Sequence, residues 1–101
     1  MEFDLNNNDP SKSNSTDLSL MAHGIRSLDE IPLHRSLLSI NLHSNEIERI
    51  SGLTGLHHLT HLDLSSNHLT RIQGLEGLVS LDTLNLASNK IVIVEGLFAL
   101  K

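Results

Sequence analysis

Leu59-Thr60-His61-Leu62-Asp63-Leu64-Ser65-Ser66-Asn67-His68-Leu69-Thr70-Arg71-Ile72-Gln73-Gly74-Leu75 sets the architecture, because the chain repeats it in kind 22 residues earlier and 22 residues later. Its apolar sites, completed by Leu78, match Leu37, Ile40, Leu42, Ile47, Ile50, Leu53 and Leu56 before it. They match Leu81, Leu84, Leu86, Ile91, Val94, Leu97 and Leu100 after it. All 21 of these positions hold Leu, Ile or Val, with Asn45, Asn67 and Asn89 and then Gly52, Gly74 and Gly96 at two further fixed places. A fixed period in this range marks a chain built of stacked repeats, each burying its apolar face against the next.

Working outward, residues 17–36 form a degenerate copy. Leu18, Leu20, Ile25, Leu28 and Ile31 stay in frame, whereas Ser15, His23 and His34 replace the first leucine, the asparagine and the last leucine. A terminal repeat has one face toward water, so this copy reads as a cap, followed by repeats at 37–58, 59–80 and 81–101. Residues 1–16 are rich in Asn, Ser and Asp and bury too little apolar area to offset ordering entropy, so they read as a disordered tail.

The 101 residues bound the chain to one domain, and with two Phe and no Trp or Tyr a centred globular core would be poorly filled. A net charge of −5 with scattered Lys and Arg argues against a nucleic-acid partner. The absence of cysteine favours a reducing compartment. No stretch reads as a signal peptide or as a membrane span, which together point to a cytoplasmic or nuclear setting.

Each repeat has two halves. Around Leu62-Asp63-Leu64 the apolar residues alternate with His61, Asp63 and Ser65, the period of a strand with one buried face. From residue 72 to 78 they recur every three positions, which suits a tight 3₁₀-like turn. Strands are narrower than such turns, so the stack should curve with its parallel sheet on the concave side. Asn45, Asn67 and Asn89 fall where the backbone leaves the strand. An amide there both donates and accepts, so these residues read as a structural ladder; ligand binding is the alternative.

The outward positions of the strands make three columns. The first is Asp17, Ser39, His61 and Thr83; the second Ser19, Asn41, Asp63 and Asn85; the third Met21, His43, Ser65 and Ala87. Of these, Ser39, Asn41, His43, His61, Asp63, Ser65, Thr83 and Asn85 are the candidate protein-binding residues, set against the reading of an ordinary solvated sheet face. His57-His58-x-x-His61 is the nearest approach to a metal cluster, but its members diverge in the repeat frame and no Cys is at hand, so no metal or cofactor is expected. His68 reads as a solvated surface residue. His61, Asp63 and Ser65 lack the pocket and oxyanion hole of a hydrolytic triad, so no catalytic residue is expected. Val92-Ile93 replaces Glu48-Arg49 and Thr70-Arg71, and with Phe98-Ala99 it suggests a contact patch covered by a partner or by further sequence; simple drift is the alternative. The uncovered strand edge at that end invites self-association, and at least one more repeat is expected beyond residue 101.

The L-x-x-L-x-L-x-x-N segments, followed by Asn45-x-Ile47-x-x-Ile50-x-Gly52-Leu53 and its two copies, resemble the 22-residue subclass of leucine-rich repeats, over residues 17–101. The resemblance implies an α/β fold: a leucine-rich repeat solenoid, a right-handed horseshoe with a concave parallel β-sheet and convex 3₁₀ or helical turns, about four repeats. The subclass holds phosphatase-regulatory, spliceosomal, centrosomal and axonemal proteins. Asn41-Leu42-His43-Ser44-Asn45, the His61 to Asn67 segment and Met21-Ala22-His23-Gly24-Ile25 are most similar to its centrosomal, coiled-coil-bearing members. That implies a non-catalytic scaffold binding another protein in centrosome or centriole, spindle or cilium organisation. The runner-up is an adaptor of a phosphatase or spliceosomal complex.

Overall fold

A computed structural model of the chain describes residues 16–94. Residues 1–15, expected as a tail, and 95–101, with Gly96, Leu97, Phe98, Ala99 and Leu100, lie outside the described residues. Thr16, placed in the tail by its composition, is tied to the fold: its carbonyl accepts the Leu38 and Ser39 N–H groups at 2.7 and 3.1 Å.

Four short strands, β1 (Asp17–Ser19), β2 (Ser39–Asn41), β3 (His61–Asp63) and β5 (Thr83–Asn85), form one parallel sheet in the order β1-β2-β3-β5. The register advances by one 22-residue period at each step, so that Leu18, Ile40, Leu62 and Leu84 align. Their neighbours Asp17, Ser39, His61 and Thr83, and Ser19, Asn41, Asp63 and Asn85, align likewise on the opposite face. The leucine face is the core. Ile40, Leu42, Ile47, Leu62, Leu64 and Leu69 are fully buried, sandwiched between layers. Leu18 on one flank and Leu84, Leu86 and Ile91 on the other are half-buried, because each outer layer is covered from one side only among the described residues.

Beyond each strand the chain turns back in tight steps. Leu28–Glu30 is a 3₁₀ turn, capped by the Ser27 hydroxyl, which accepts the Asp29 N–H at 3.1 Å. Later copies use single three-residue bonds: Leu56 N–H to Leu53, Leu59 to Leu56, Leu78 to Leu75 and Leu81 to Leu78. These place the leucines three apart on the inner side. Residue 72 departs from the expected turn. Arg71–Ile72 is a strand, β4, paired in parallel with β6 (Ile93–Val94) in a second, two-stranded sheet. The Val92 N–H donates to the Thr70 carbonyl at 2.9 Å, opening this second ladder, and the β-branched Ile and Val suit extended backbone.

Two glycines one period apart show how stacking distinguishes equivalent positions. A Cβ on Gly77 would fall 2.6 Å from the Thr54 carbonyl oxygen of the layer beneath; on Gly55 its nearest neighbour is the Arg35 side chain at 4.0 Å. Layers therefore touch backbone to backbone at Gly77. Gly77→Ala is expected to lower unfolding free energy by about 1–3 kcal/mol through overpacking. Gly55→Ala should be tolerated. Denaturant melts of the two variants check this, and equal melts would remove the close-approach role of Gly77.

Candidate functional site

Where each strand ends in the interior, backbone groups lose their ladder partners, and an asparagine in each of the three layers after the first meets them; in the first layer His23 stands at that place. Asn67 Oδ1 accepts the Ile47 N–H at 3.0 Å, while Nδ2 donates to the carbonyls of Leu42, Leu64 and Ser65 at 3.0, 3.0 and 3.1 Å. Asn45 Oδ1 accepts the His23 and Ile25 N–H groups, both at 3.0 Å, and its Nδ2 reaches the Leu20 and Leu42 carbonyls at 2.9 Å each. Asn89 accepts from Leu69 at 2.9 Å and donates to Leu64, Leu86 and Ala87. The Leu42 carbonyl lies between Asn45 and Asn67, and the Leu64 carbonyl between Asn67 and Asn89. The amides thus join adjacent layers into one chain of bonds, and no buried side-chain polar atom is left unpaired among the described residues.

Ser44, Ser66 and Ser88, which precede the three asparagines, and Ala22, which precedes His23 at the equivalent place, have φ of 55° to 62°. This left-handed step costs a non-glycine residue roughly 1–2 kcal/mol, so it persists only because the surrounding bonds hold it. The Ser44 N–H meets the Ser65 carbonyl at 3.0 Å, and Ser66 meets Ala87 at 2.8 Å. The mark of these left-handed steps in the sequence is a small residue, Ala or Ser, ahead of each in-frame position, a signal too common to stand out beside the leucines.

The opposite face of the sheet carries the candidate binding residues. Ser39, Asn41, His43, His61 and Asp63 are half-buried, and Thr83 and Asn85 exposed. Ser65 departs from expectation, because it is only 5% exposed and bonded at both ends. Its hydroxyl donates to Asp63 Oδ1 at 2.6 Å, and its N–H donates to the same oxygen at 2.9 Å. Having one proton, which the carboxylate takes, the Ser65 hydroxyl must accept from His43 Nδ1 at 2.7 Å, which fixes that nitrogen as protonated. The order is imidazole–hydroxyl–carboxylate. A hydrolytic triad needs the imidazole in the middle and an open hydroxyl, so the serine here is bonded as a brace. Asn41 and Asn85 make the equivalent local turn, accepting the N–H of His43 at 3.1 Å and Ala87 at 3.0 Å. Hence the second column supports its own strand exits as well as facing outward.

His57, His58 and His68 are exposed and His61 half-buried; among the described residues no group of three or more His, Cys, Asp or Glu is placed to hold a metal. A shallow groove on the flank is lined by Glu48, Arg49, His68 and Thr70, and Val92 beside this flank is 80% exposed. No described helix is long and apolar enough to cross a membrane.

A sheet of parallel strands in 22-residue register, its neighbouring layers stapled by Asn45, Asn67 and Asn89, is the leucine-rich repeat arrangement. Residues 35–77 and 57–99 each match the family described as Leucine Rich repeats (2 copies), and the chain belongs to the leucine-rich repeat family. It is similar to leucine-rich repeat and coiled-coil domain-containing protein 1 of Xenopus laevis, with 57% identity over 45 residues. That match takes in 45% of this chain and 4% of the relative, so the chain spans only a small part of that protein's length. Repeats of this family serve in general as protein-interaction modules and are typically non-catalytic.

Asn67→Ala would orphan the Ile47 N–H and the inward carbonyls, at a cost of about 1–3 kcal/mol. Asn89, half-buried with only one described layer against it, should lose less on the same change. Chemical denaturation of both variants checks the ranking; an Asn67→Ala protein that melts with the parent would refute the stapling role.

Proposed function

We propose that this chain is a non-catalytic scaffold that holds another protein against the open face of its four-stranded sheet. On this reading the stack continues as a right-handed horseshoe of about four repeats, over residues 17–101, with the open face concave. The observation that carries the proposal is the register. Side chains from four strands stand in aligned columns on a backbone fixed by two hydrogen-bond systems, and such a face offers a partner an ordered, preorganised array. Ser39, His61 and Thr83 in the first column, with Asn41, His43, Asp63 and Asn85 beside them, are the contact residues proposed. Ser65 acts from behind by bracing Asp63 and His43. The similarity to a protein whose name joins leucine-rich repeats to a coiled coil supports the centrosomal, ciliary or spindle setting over a phosphatase or spliceosomal adaptor.

A second surface has its own observation. Val92 is 80% exposed on the flank where earlier repeats carry Glu48 and Thr70. A lateral patch there would bind a partner, or a second copy of the chain, without involving the sheet face.

The test has to spare the bonds that support the strand exits. Asp63→Arg would remove two bonds to Ser65, so its effect would mix folding with binding. Ser39→Arg combined with Thr83→Arg instead adds bulk and charge at positions that make no side-chain bond among the described residues. With the tagged chain followed in dividing cells, this double variant should lose centrosomal recruitment at an unchanged melting temperature, since surface changes stay within about 0.5 kcal/mol of neutral. The control, Glu76→Arg on an exposed turn, should be recruited normally. If the double variant is recruited and Val92→Asp is not, the flank is the working surface.

A further inference from the structure

Three side chains of the second column, Asn41, Asp63 and Asn85, which follow Ser19 of the first strand, each have two ends with different fates. One end of each group is committed to its own backbone: Asn41 Oδ1 to the His43 N–H, Asp63 Oδ1 to the Ser65 N–H and hydroxyl, and Asn85 Oδ1 to the Ala87 N–H. Only an oxygen can meet an N–H donor, so these bonds fix which way each amide is turned. The remaining ends are therefore Asn41 Nδ2, Asp63 Oδ2 and Asn85 Nδ2, and none has a partner among the described residues. The register sets Asn41, Asp63 and Asn85 opposite one another on neighbouring strands, about 4.8 Å apart. The face thus carries a row of donor, charged acceptor, donor, running across the strands.

We infer that this row recognises an α-helix of a partner protein, one presenting an Arg or Lys between two carboxylates, in the order Glu-x-x-Arg-x-x-x-Glu. This rests on the reading of the open face as the docking surface. Charge selects the central residue. Asp63 is the one charged group of the row, and the four strands contain no Arg or Lys to neutralise it. A partner that covers Asp63 without a cation would bury an unpaired carboxylate. The amide donors on either side call for acceptors, and carboxylates make the stronger charge-assisted bonds. Spacing selects the helix. At a rise of about 1.5 Å per residue, steps of three and four residues advance about 4.5 and 6.0 Å and bracket the strand spacing. Alternate residues of an extended segment are about 6.6–6.8 Å apart, and would fall out of step by the third strand.

Asp63→Asn isolates the claim. Asn at this position keeps the carbonyl oxygen that accepts from Ser65, as Asn41 and Asn85 do for their own neighbours, but turns the central acceptor into a donor. The probes are lactam-bridged helical peptides carrying Glu-x-x-Arg-x-x-x-Glu, the same with Leu for Arg, and an unbridged glycine-spaced version of the first, titrated into the isotope-labelled chain. The first peptide should bind, moving the side-chain amide signals of Asn41 and Asn85. Leu for Arg in the peptide, or Asp63→Asn in the chain, should each weaken binding at least about tenfold, the loss expected for a charge-assisted bond. The melting temperature of Asp63→Asn should match the parent. Equal binding by Asp63→Asn or by the Leu peptide overturns the charge assignment, and equal binding by the glycine-spaced peptide overturns the helix. If no peptide binds while Ser39→Arg/Thr83→Arg still abolishes recruitment, the row is wrong and the docking face stands. If recruitment also survives that double variant, both fall.

Discussion

One constraint governs this structure: a strand that ends inside a stack leaves backbone donors and acceptors with no ladder to join. Short strands of three residues make the problem recur in every layer. The carboxamide of asparagine is suited to it, having an acceptor oxygen and a two-proton donor on one short stem. Asn67 links the Ile47 N–H with the Leu42 carbonyl in one layer and the Leu64 carbonyl in its own. No other polar side chain of similar size both donates and accepts in this way, since a carboxylate only accepts and a hydroxyl has a single proton. The leucines supply the burial, but they are nearly interchangeable along the stack. The amides fix the phase of one layer against the next.

That fixed phase is what turns a row of similar repeats into a surface. Because the layers cannot slip, Asn41, Asp63 and Asn85 meet in register on the outer face. The same residues close the turns that lead to the asparagines, by accepting the N–H two residues on. Interior and exterior are coupled through those turns. Ser65 shows the coupling most clearly, as it joins Asp63 of its own strand to His43 of the neighbouring one while itself lying buried.

Much of this was legible in the sequence, because a period carries its own register. Leu18, Ile40, Leu62 and Leu84 share one repeat position, and a parallel sheet with no slip aligns them. What escaped the sequence was of two kinds. Local side-chain bonds leave no periodic trace: Asn41, Asp63 and Asn85 alternate with leucines as any outward residue would, so their bonds to the backbone, and the burial of Ser65, were invisible. The second kind is set by the layer below. Gly55 and Gly77 occupy equivalent places in sequence, yet only Gly77 lies against a backbone carbonyl, that of Thr54. The pairing of Arg71–Ile72 with Ile93–Val94 belongs here too, since spacing by three had suggested a turn and the neighbouring layer offered a ladder instead.

The most direct test of the amide staples is native-state hydrogen exchange at the Ile47 and Leu69 N–H groups, which donate to Asn67 and Asn89 and to no backbone carbonyl. The reference is the Leu42 and Leu64 N–H groups, held by the ordinary sheet bonds to Asp63 and Asn85. If the asparagines hold the layers together, Ile47 should exchange only through the same cooperative opening as Leu42 and Leu64, with matching free energy and denaturant dependence, and Leu69 somewhat more readily at the outer layer. Rapid exchange at Ile47 while the sheet amides stay protected would contradict the stapling role, and would leave the leucine core to hold the stack alone.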